Sequence, residues 1–448
     1  MVSIVCNVSN SLPPRQDPRP STGRVLVVRG GVPLKGELRV LPAKNSALKL
    51  MAASLLTDQP VVLEEVPRLR DIDVLLELLG HLGTRHAWEG RTLHLHTPEI
   101  RSTQAPFELV SKMRASFNVL GALAARAGEG TVPLPGGCTF AERPVDQHIK
   151  ALRALGFEVT AQVTEQGMAY TARRLKPASG RVVYDLPTLG GTEQALLAAA
   201  LGGEAVLVNT PQEPEIVDLC RFLVRMGVEI EGIGSSILHI RGKPHLRGVR
   251  YRVIPDRIEA GTYLLAAAAT RGSITLTHVE PFHMDALLDK LSYSGHRITT
   301  GRDWIRLEAV PDPQPFNLEA REYPGFVTDL QPPATAYLCT VPGTSLVSDR
   351  IYPDRFTHAG ELARMGADIT LKDRTLIIQG RPLSGAAVEA RDIRAGGGLI
   401  IAALAAEGES HIAGLHHIER GYEDVENRLR SLGAQVGLQQ PELALAAD

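Results

Sequence analysis

IKALRALGFEVTA, residues 149–161, writes an amphipathic helix, a glycine at position 156 and then a strand. The glycine stands where a helix closes in the left-handed conformation, which suits a residue without a Cβ. After it, Phe157, Glu158, Val159 and Thr160 alternate as a half-buried strand does. The pattern recurs five more times: LLELLGHLGTRHAW (75–88), CRFLVRMGVEIEG (220–232), LLDKLSYSGHRIT (287–299), GELARMGADITL (360–371) and ENRLRSLGAQVGL (426–438). The marker glycines are Gly83, Gly156, Gly227, Gly295, Gly366 and Gly433, spaced 67 to 73 residues apart.

A second marker keeps step. An Ala/Leu-rich helix ends in a turn and a strand in ARAGEGTVPL (125–134), ALGGEAVLVN (200–209), ATRGSITLTH (269–278), CTVPGTSLVS (339–348) and AAEGESHIAG (405–414). LLTDQPVVLE (55–64) is a glycine-free version. Each unit should therefore hold two helices and about four short strands. LLAAAL (196–201), YLLAAAAT (263–270) and LIIAALAA (399–406) are apolar nearly all round, which predicts burial. A single core rarely serves more than roughly 250–300 residues, so six units in 448 residues divide into two domains of three. The expected fold class is α/β: a two-domain, inside-out, barrel-like arrangement with helices buried and sheets facing outward. The expected boundaries are a disordered tail at 1–23, one three-repeat domain at 44–254, and a second made of 24–43 with 255–448. The active site would lie in the cleft between them.

Composition narrows the function. Lys+Arg 48 against Asp+Glu 50 gives a net charge of -2, whereas a nucleic-acid binder carries a basic excess. An anionic ligand must be met by a local cluster of cations. Cys6, Cys138, Cys220 and Cys339 form no C-x-x-C pair, so neither a disulfide framework nor a structural zinc site is suggested, and a reducing, cytoplasmic setting is expected. No apolar run approaches the roughly 18 residues of a membrane span. The start of the chain lacks the basic n-region of a signal peptide. Neither GxGxxG nor a P-loop occurs, so no cofactor and no metal is expected.

Function must come from residues that break the repeat. LPAKNSALKL (41–50) puts Lys44 and Asn45 before the first buried helix, where free N–H groups favour an anion. A solvated lysine at a helix start is the plainer alternative. PLPGGCTFAERPVDQH (133–148) is longer and stiffer than its counterparts, as lid loops are. Cys138 lies at its tip, five residues before Arg143, whose guanidinium would favour thiolate; an inert cysteine remains open. Arg114, Arg355, Arg394 and Arg420 stand at breaks between elements. With Asp354, Asp392 and Glu419 as neighbours, the last three could equally form surface ion pairs. Asp329 reads as an N-cap or a site residue, and Asp256 and Glu259 share that ambiguity.

These stretches together resemble the UDP-N-acetylglucosamine enolpyruvyl transferases, over about residues 29–437. AKNSAL, KMRAS, LPGGCTFAERPVDQHI, GGTEQALLAAAL, YRVIPDRIEAGTYL, YPGFVTDLQ, DIRAG and HHIERGYE carry the likeness, and AKN, LPGGC and RPVD in that order are its most specific part. The resemblance implies transfer of the enolpyruvyl group of phosphoenolpyruvate to the 3′-hydroxyl of UDP-N-acetylglucosamine, the first committed step of bacterial peptidoglycan synthesis. It implies those two small-molecule substrates, no nucleic acid, no membrane, and a monomer or weak homo-oligomer. It makes Cys138 the proton donor to C3 of phosphoenolpyruvate, the site of a covalent adduct and the target of fosfomycin. Lys44, Asn45, Arg143, Arg394 and Arg420 would bind phosphoenolpyruvate, with Arg355 a further pocket arginine. Arg114, Arg143, Pro144, Val145, Asp146, Gln147, Leu186, Pro187, Thr188, Leu189 and Ile351 would contact the nucleotide sugar. Asp329 would sit at its 3′-hydroxyl, so the catalytic set is Cys138, Asp329, Lys44 and Arg420.

Three departures stand out. Pro42 replaces a usual glycine, Val327 a common proline, and Gly396, Gly397 and Gly398 follow Arg394 where alanine and serine are usual. Each glycine weakens a helix by roughly 1 kcal/mol relative to alanine, so this run should loosen Arg394. The rivals are the sister transferase acting on shikimate 3-phosphate, which lacks the LPGGC segment, and a nonenzymatic UDP-sugar-binding paralogue.

Overall fold

The computed structural model describes residues 23–135 and 144–440. All six marker glycines have positive φ, from 87° at Gly156 to 118° at Gly227, so each occupies the region a Cβ resists. Two kinds of helix alternate along the chain. They are α1 (Lys44–Ala53), α2 (Arg70–Leu82), α3 (Val119–Ala127), α4 (Asp146–Ala154), α5 (Leu189–Ala199) and α6 (Pro214–Met226), then α7 (Arg257–Ala269), α8 (Asp285–Tyr293), α9 (Gln331–Leu338), α10 (Thr357–Arg364), α11 (Ile393–Ala405) and α12 (Val425–Ser431). The odd-numbered helices are buried almost all round. The even-numbered ones are the amphipathic markers, each burying one stripe.

Burial separates two hydrophobic cores. One draws on residues 47 to 253 around α1, α3 and α5. The other draws on residues 26 to 40 and 258 to 436 around α7, α9 and α11. Six small sheets cover the helices, five of four strands and one of three, and among the described residues none closes into a barrel. The arrangement is inside-out, with open sheets. Along strands such as Val61–Glu64 and Thr92–His96, one face packs inward while the other meets solvent.

Repeat counting could not show how strands are exchanged. Val25–Arg29 lies between Glu409–Ala413 and Gln435–Gln439, and Lys35–Arg39 runs parallel to Ser273–Thr277. Arg250–Arg252 returns the exchange by pairing with Val61–Glu64. The chain thus crosses between cores twice. At the crossing, Ala43 N donates to Ile254 O (2.8 Å), Asp256 N donates to Leu41 O (2.8 Å), and Pro42 faces Pro255. Two prolines with fixed φ stiffen this double crossover.

Two buried carboxylates inside the first core are tied to polar neighbours. Glu193 accepts from Asn118 Nδ2 and pairs with Lys49 Nζ at 3.1 Å. Asp218 accepts from Ser46 Oγ and from the Tyr251 hydroxyl at 2.6 Å. Burial pushes the Asp218 carboxyl up to about 6. Among the described residues no helix is long and apolar enough to cross a membrane.

Candidate active site

Lys44, Asp329 and Arg394 lie at or just before the N-terminal ends of the buried helices α1, α9 and α11, where the helix dipole favours negative charge. Lys44 opens α1, and it is not a solvated lysine: it is 5% exposed. Its Nζ donates to Asp71 Oδ2 at 2.9 Å and to the Arg420 carbonyl at 3.0 Å. Arg420 in turn donates from Nε to Asp71 Oδ1 at 2.9 Å. Asn45, beside it, accepts from Lys49 Nζ through its backbone carbonyl at 2.7 Å.

A second carboxylate holds two more arginines. Asp329 sits in the short 3-10 turn Thr328–Leu330 before α9 and makes no cap there, which removes the N-cap alternative. Its Oδ1 accepts from Arg355 Nη1 at 2.8 Å, and its Oδ2 accepts from Arg394 Nε at 3.0 Å. Arg355 is 2% and Arg394 4% exposed, so neither is a surface ion pair. The local partners proposed for the arginines are used elsewhere. Asp392 caps α11 through the N–H groups of Arg394 and Ala395, Glu419 pairs with Arg24, and Asp354 pairs with Arg374. Asp256 does cap α7, and Glu259 accepts from the crossover N–H of Leu41.

Electrostatics follow from this packing. Burial lowers the pKa of Lys44, and the charges of Arg394 and Arg420 act in the same direction against Asp71. Burial alone would raise Asp71, but Lys44 and Arg420 outweigh it and hold the carboxyl below its ordinary value. Burial opposes the Arg394 charge as well; Asp329, Tyr422 and Asp256 reverse that and keep the guanidinium protonated. The result is a cluster of cations balanced by only a few carboxylates.

The nucleotide-sugar candidates of the first core form a neighbouring group. Arg114 Nη2 donates to the Pro144 carbonyl at 2.9 Å, just before Val145 and α4. Gln147 Nε2 donates to Asp146 Oδ2 at 2.8 Å and to Asp185 Oδ2 at 3.0 Å, which ties α4 to the segment holding Leu186, Pro187 and Thr188. Thr188 caps α5, and Leu186 and Leu189 present exposed apolar side chains. Ile351 belongs with the Asp329 group instead: its N–H donates to Asp349, whose other oxygen accepts from Thr328 Oγ1 at 2.6 Å. Cys138 and Arg143 lie outside the described residues.

The three glycines of α11 have a different role from the one expected. A Cβ on Gly396 would come within 2.5 Å of the Ile418 side chain, one on Gly397 within 2.5 Å of the Tyr422 hydroxyl, and one on Gly398 within 2.8 Å of the Pro332 carbonyl. Gly398 lets α11 approach α9 closely, while Gly396 and Gly397 let the segment carrying Ile418 and Tyr422 pack against α11 beside Arg394. Gly398→Ala should therefore destabilise the protein by about 1–3 kcal/mol through overpacking, despite the better helix propensity of alanine. A thermal melt reads the loss.

Sequence reasoning missed Asp71, Thr328, Asp349 and Tyr422. It also missed the buried pair in which Arg257 Nε and Nη2 meet Glu215 at 3.0 Å each, joining the two cores. Asp71 is two residues into an amphipathic helix, where an acid is the ordinary choice, so nothing in the pattern marked it.

Comparison with known proteins identifies the family. The family EPSP synthase (3-phosphoshikimate 1-carboxyvinyltransferase) matches residues 28–429. A protein from Thermus thermophilus named UDP-N-acetylglucosamine 1-carboxyvinyltransferase is 67% identical over 95% of this chain and 99% of its own length. One of the same name from Deinococcus radiodurans is 50% identical over 94% of this chain and 99% of its own. The crystal structure of the enolpyruvyl transferase NikO from Streptomyces tendae covers 93% of this chain and 99% of its own at a TM-score of 0.83 and 24% identity, a likeness of fold. The chain belongs to the EPSP synthase family of enolpyruvyl transferases and, within it, to the UDP-N-acetylglucosamine 1-carboxyvinyltransferases.

Proposed function

We propose that this chain transfers the enolpyruvyl group of phosphoenolpyruvate to the 3′-hydroxyl of UDP-N-acetylglucosamine, releasing phosphate, as the first committed step of peptidoglycan synthesis. The observation that carries the reading is the convergence of Lys44, Arg394 and Arg420 from both cores, with Lys44 and Arg420 on Asp71 and Arg394 on Asp329. Two polyanionic substrates need such a cluster in a chain of net charge -2. Arginine's planar fork suits phosphate and carboxylate.

The chemistry is addition followed by elimination. The 3′-hydroxyl oxygen bonds to C2 of phosphoenolpyruvate while C3 takes a proton from Cys138, giving a tetrahedral ketal. Phosphate then leaves from C2 as C3 gives up a proton, which restores the double bond. Asp329 accepts or orients the hydroxyl proton, its two oxygens held in place by Arg355 and Arg394. Lys44, Arg143, Arg394 and Arg420 hold phosphoenolpyruvate, with Asn45 and Arg355 beside them. Arg114, Pro144, Val145, Asp146, Gln147, Leu186, Pro187, Thr188, Leu189 and Ile351 hold the nucleotide sugar. The two cores serve as two domains that close on the substrates and exclude water from the intermediate. The chain works in the cytoplasm as a monomer or weak homo-oligomer.

Phosphate should appear only when both substrates are supplied. A phosphate-release assay with each substrate omitted in turn checks this, and equal turnover on shikimate 3-phosphate would transfer the assignment to the sister reaction.

A further inference from the structure

We infer that Asp71 is a positioning residue that sets Lys44 of the first core in register with Arg420 of the second, so that the phosphoenolpyruvate site is complete only when the two cores are docked. The inference rests on the transfer reading above. Asp71 gives one oxygen to each cation, Oδ2 to Lys44 Nζ and Oδ1 to Arg420 Nε, both at 2.9 Å. Lys44 also donates to the Arg420 carbonyl, which closes the three residues into one ring of contacts. Lys44 and Asp71 stand at the starts of α1 and α2, whose apolar residues pack in the first core, and Arg420 lies between Ile418 and Tyr422 of the other core. Separating the cores would leave Asp71 with Lys44 alone.

The placement distinguishes a clamp from a plug. The Asp71 and Lys44 side chains are each 6% exposed, while that of Arg420 is 33% exposed. Asp71 therefore stands behind the cations. It engages Arg420 only through Nε, and among the described residues no hydrogen bond holds the two Nη groups. The forked edge that suits phosphate is left facing the open side. A plug would compete with the incoming anion for these donors, and its removal would strengthen anion binding. A clamp fixes the donors before the anion arrives, and its removal weakens binding because the ordering cost then falls on the ligand.

The test compares the wild-type protein with Asp71→Asn and Asp71→Glu. The clamp predicts a KM for phosphoenolpyruvate raised about tenfold or more in Asp71→Asn, with the KM for UDP-N-acetylglucosamine held within about twofold. A pH profile gives a second readout that a purely structural residue would not move. The charged groups facing Lys44 are Asp71, Arg394 and Arg420. Removing the one anion lets burial and the two arginines lower Lys44 further, so the alkaline limb of the profile shifts to lower pH in Asp71→Asn. Asp71→Glu keeps the charge and displaces it, so it should restore the alkaline limb while leaving KM raised. That variant also decides the matter if Asp71→Asn fails to fold. An unchanged or tighter KM for phosphoenolpyruvate in a folded variant overturns the clamp. Absence of turnover in the wild-type protein overturns the transfer reading instead. Titration of inorganic phosphate into wild type and variants then decides the clamp, with weaker binding supporting it and equal or tighter binding refuting it.

Discussion

Cys138→Ser should lose about 10²- to 10⁴-fold in turnover at neutral pH, the range that a positioned general acid contributes. A thiol titrates near 8.5 and can surrender its proton to a carbon that is becoming basic; a serine hydroxyl is far less acidic. Cys138→Asp should keep part of the activity, since a carboxyl group also delivers a proton, and should resist the epoxide fosfomycin, which needs a sulfur nucleophile. The other cysteines of the two cores provide an internal control. Cys220 and Cys339 are fully buried, and burial pushes both thiols up to about 12. Neither is equipped to become thiolate near neutrality. Peptide mass mapping after fosfomycin treatment should find Cys138 modified and these two untouched. Modification of Cys220 or Cys339 alone, or full activity in the serine variant, would remove Cys138 from the mechanism.

The residues that were legible in the sequence are those whose job is local. A glycine such as Gly83, at φ 117°, closes its own helix, and the strand after it alternates for reasons of its own. Six such statements in phase were enough to give the inside-out arrangement. Pairings between distant segments left no comparable trace. Lys35–Arg39 reads as a short polar strand, and nothing in KGELR says that it completes a sheet with Ser273–Thr277.

The site divides along the same line. Lys44 and Asn45, Asp329, Arg394 and Arg420 stood out because each interrupts a repeat, and the family resemblance supplied their roles. Their partners were misjudged because sequence proximity is a poor guide to ion pairing at a fold's centre. Arg420 neighbours Glu419 in the chain, yet its carboxylate is Asp71. Arg394 is two residues from Asp392, yet that aspartate is committed to capping α11 and Asp329 takes the guanidinium. The glycine run was misread for a related reason. Helix propensity is a property of one helix, whereas the close approach to the Pro332 carbonyl belongs to two.

Lys44→Ala and Arg420→Ala should both lose about 2–4 kcal/mol of transition-state stabilisation, the scale of a missing donor to developing negative charge. That corresponds to roughly 30- to 1000-fold in kcat/KM. The two variants should part company in stability. Lys44 is buried against a buried carboxylate, and its loss leaves Asp71 with Arg420 as its remaining cation. Breaking a buried pair from one side costs about 3–5 kcal/mol when the survivor has no other partner. Arg420 still serves Asp71, so the cost in Lys44→Ala should fall toward the lower end of that range or below it. Removing Arg420 instead leaves Asp71 its contact with Lys44, and the vacated position is reached by solvent. Denaturant midpoints should thus fall clearly for Lys44→Ala and little for Arg420→Ala, while both proteins are crippled in phosphate release. Full catalytic efficiency in either variant would show that the phosphate pocket lies elsewhere. Equal losses of stability would show that Asp71 does not distinguish its buried cation from its half-open one.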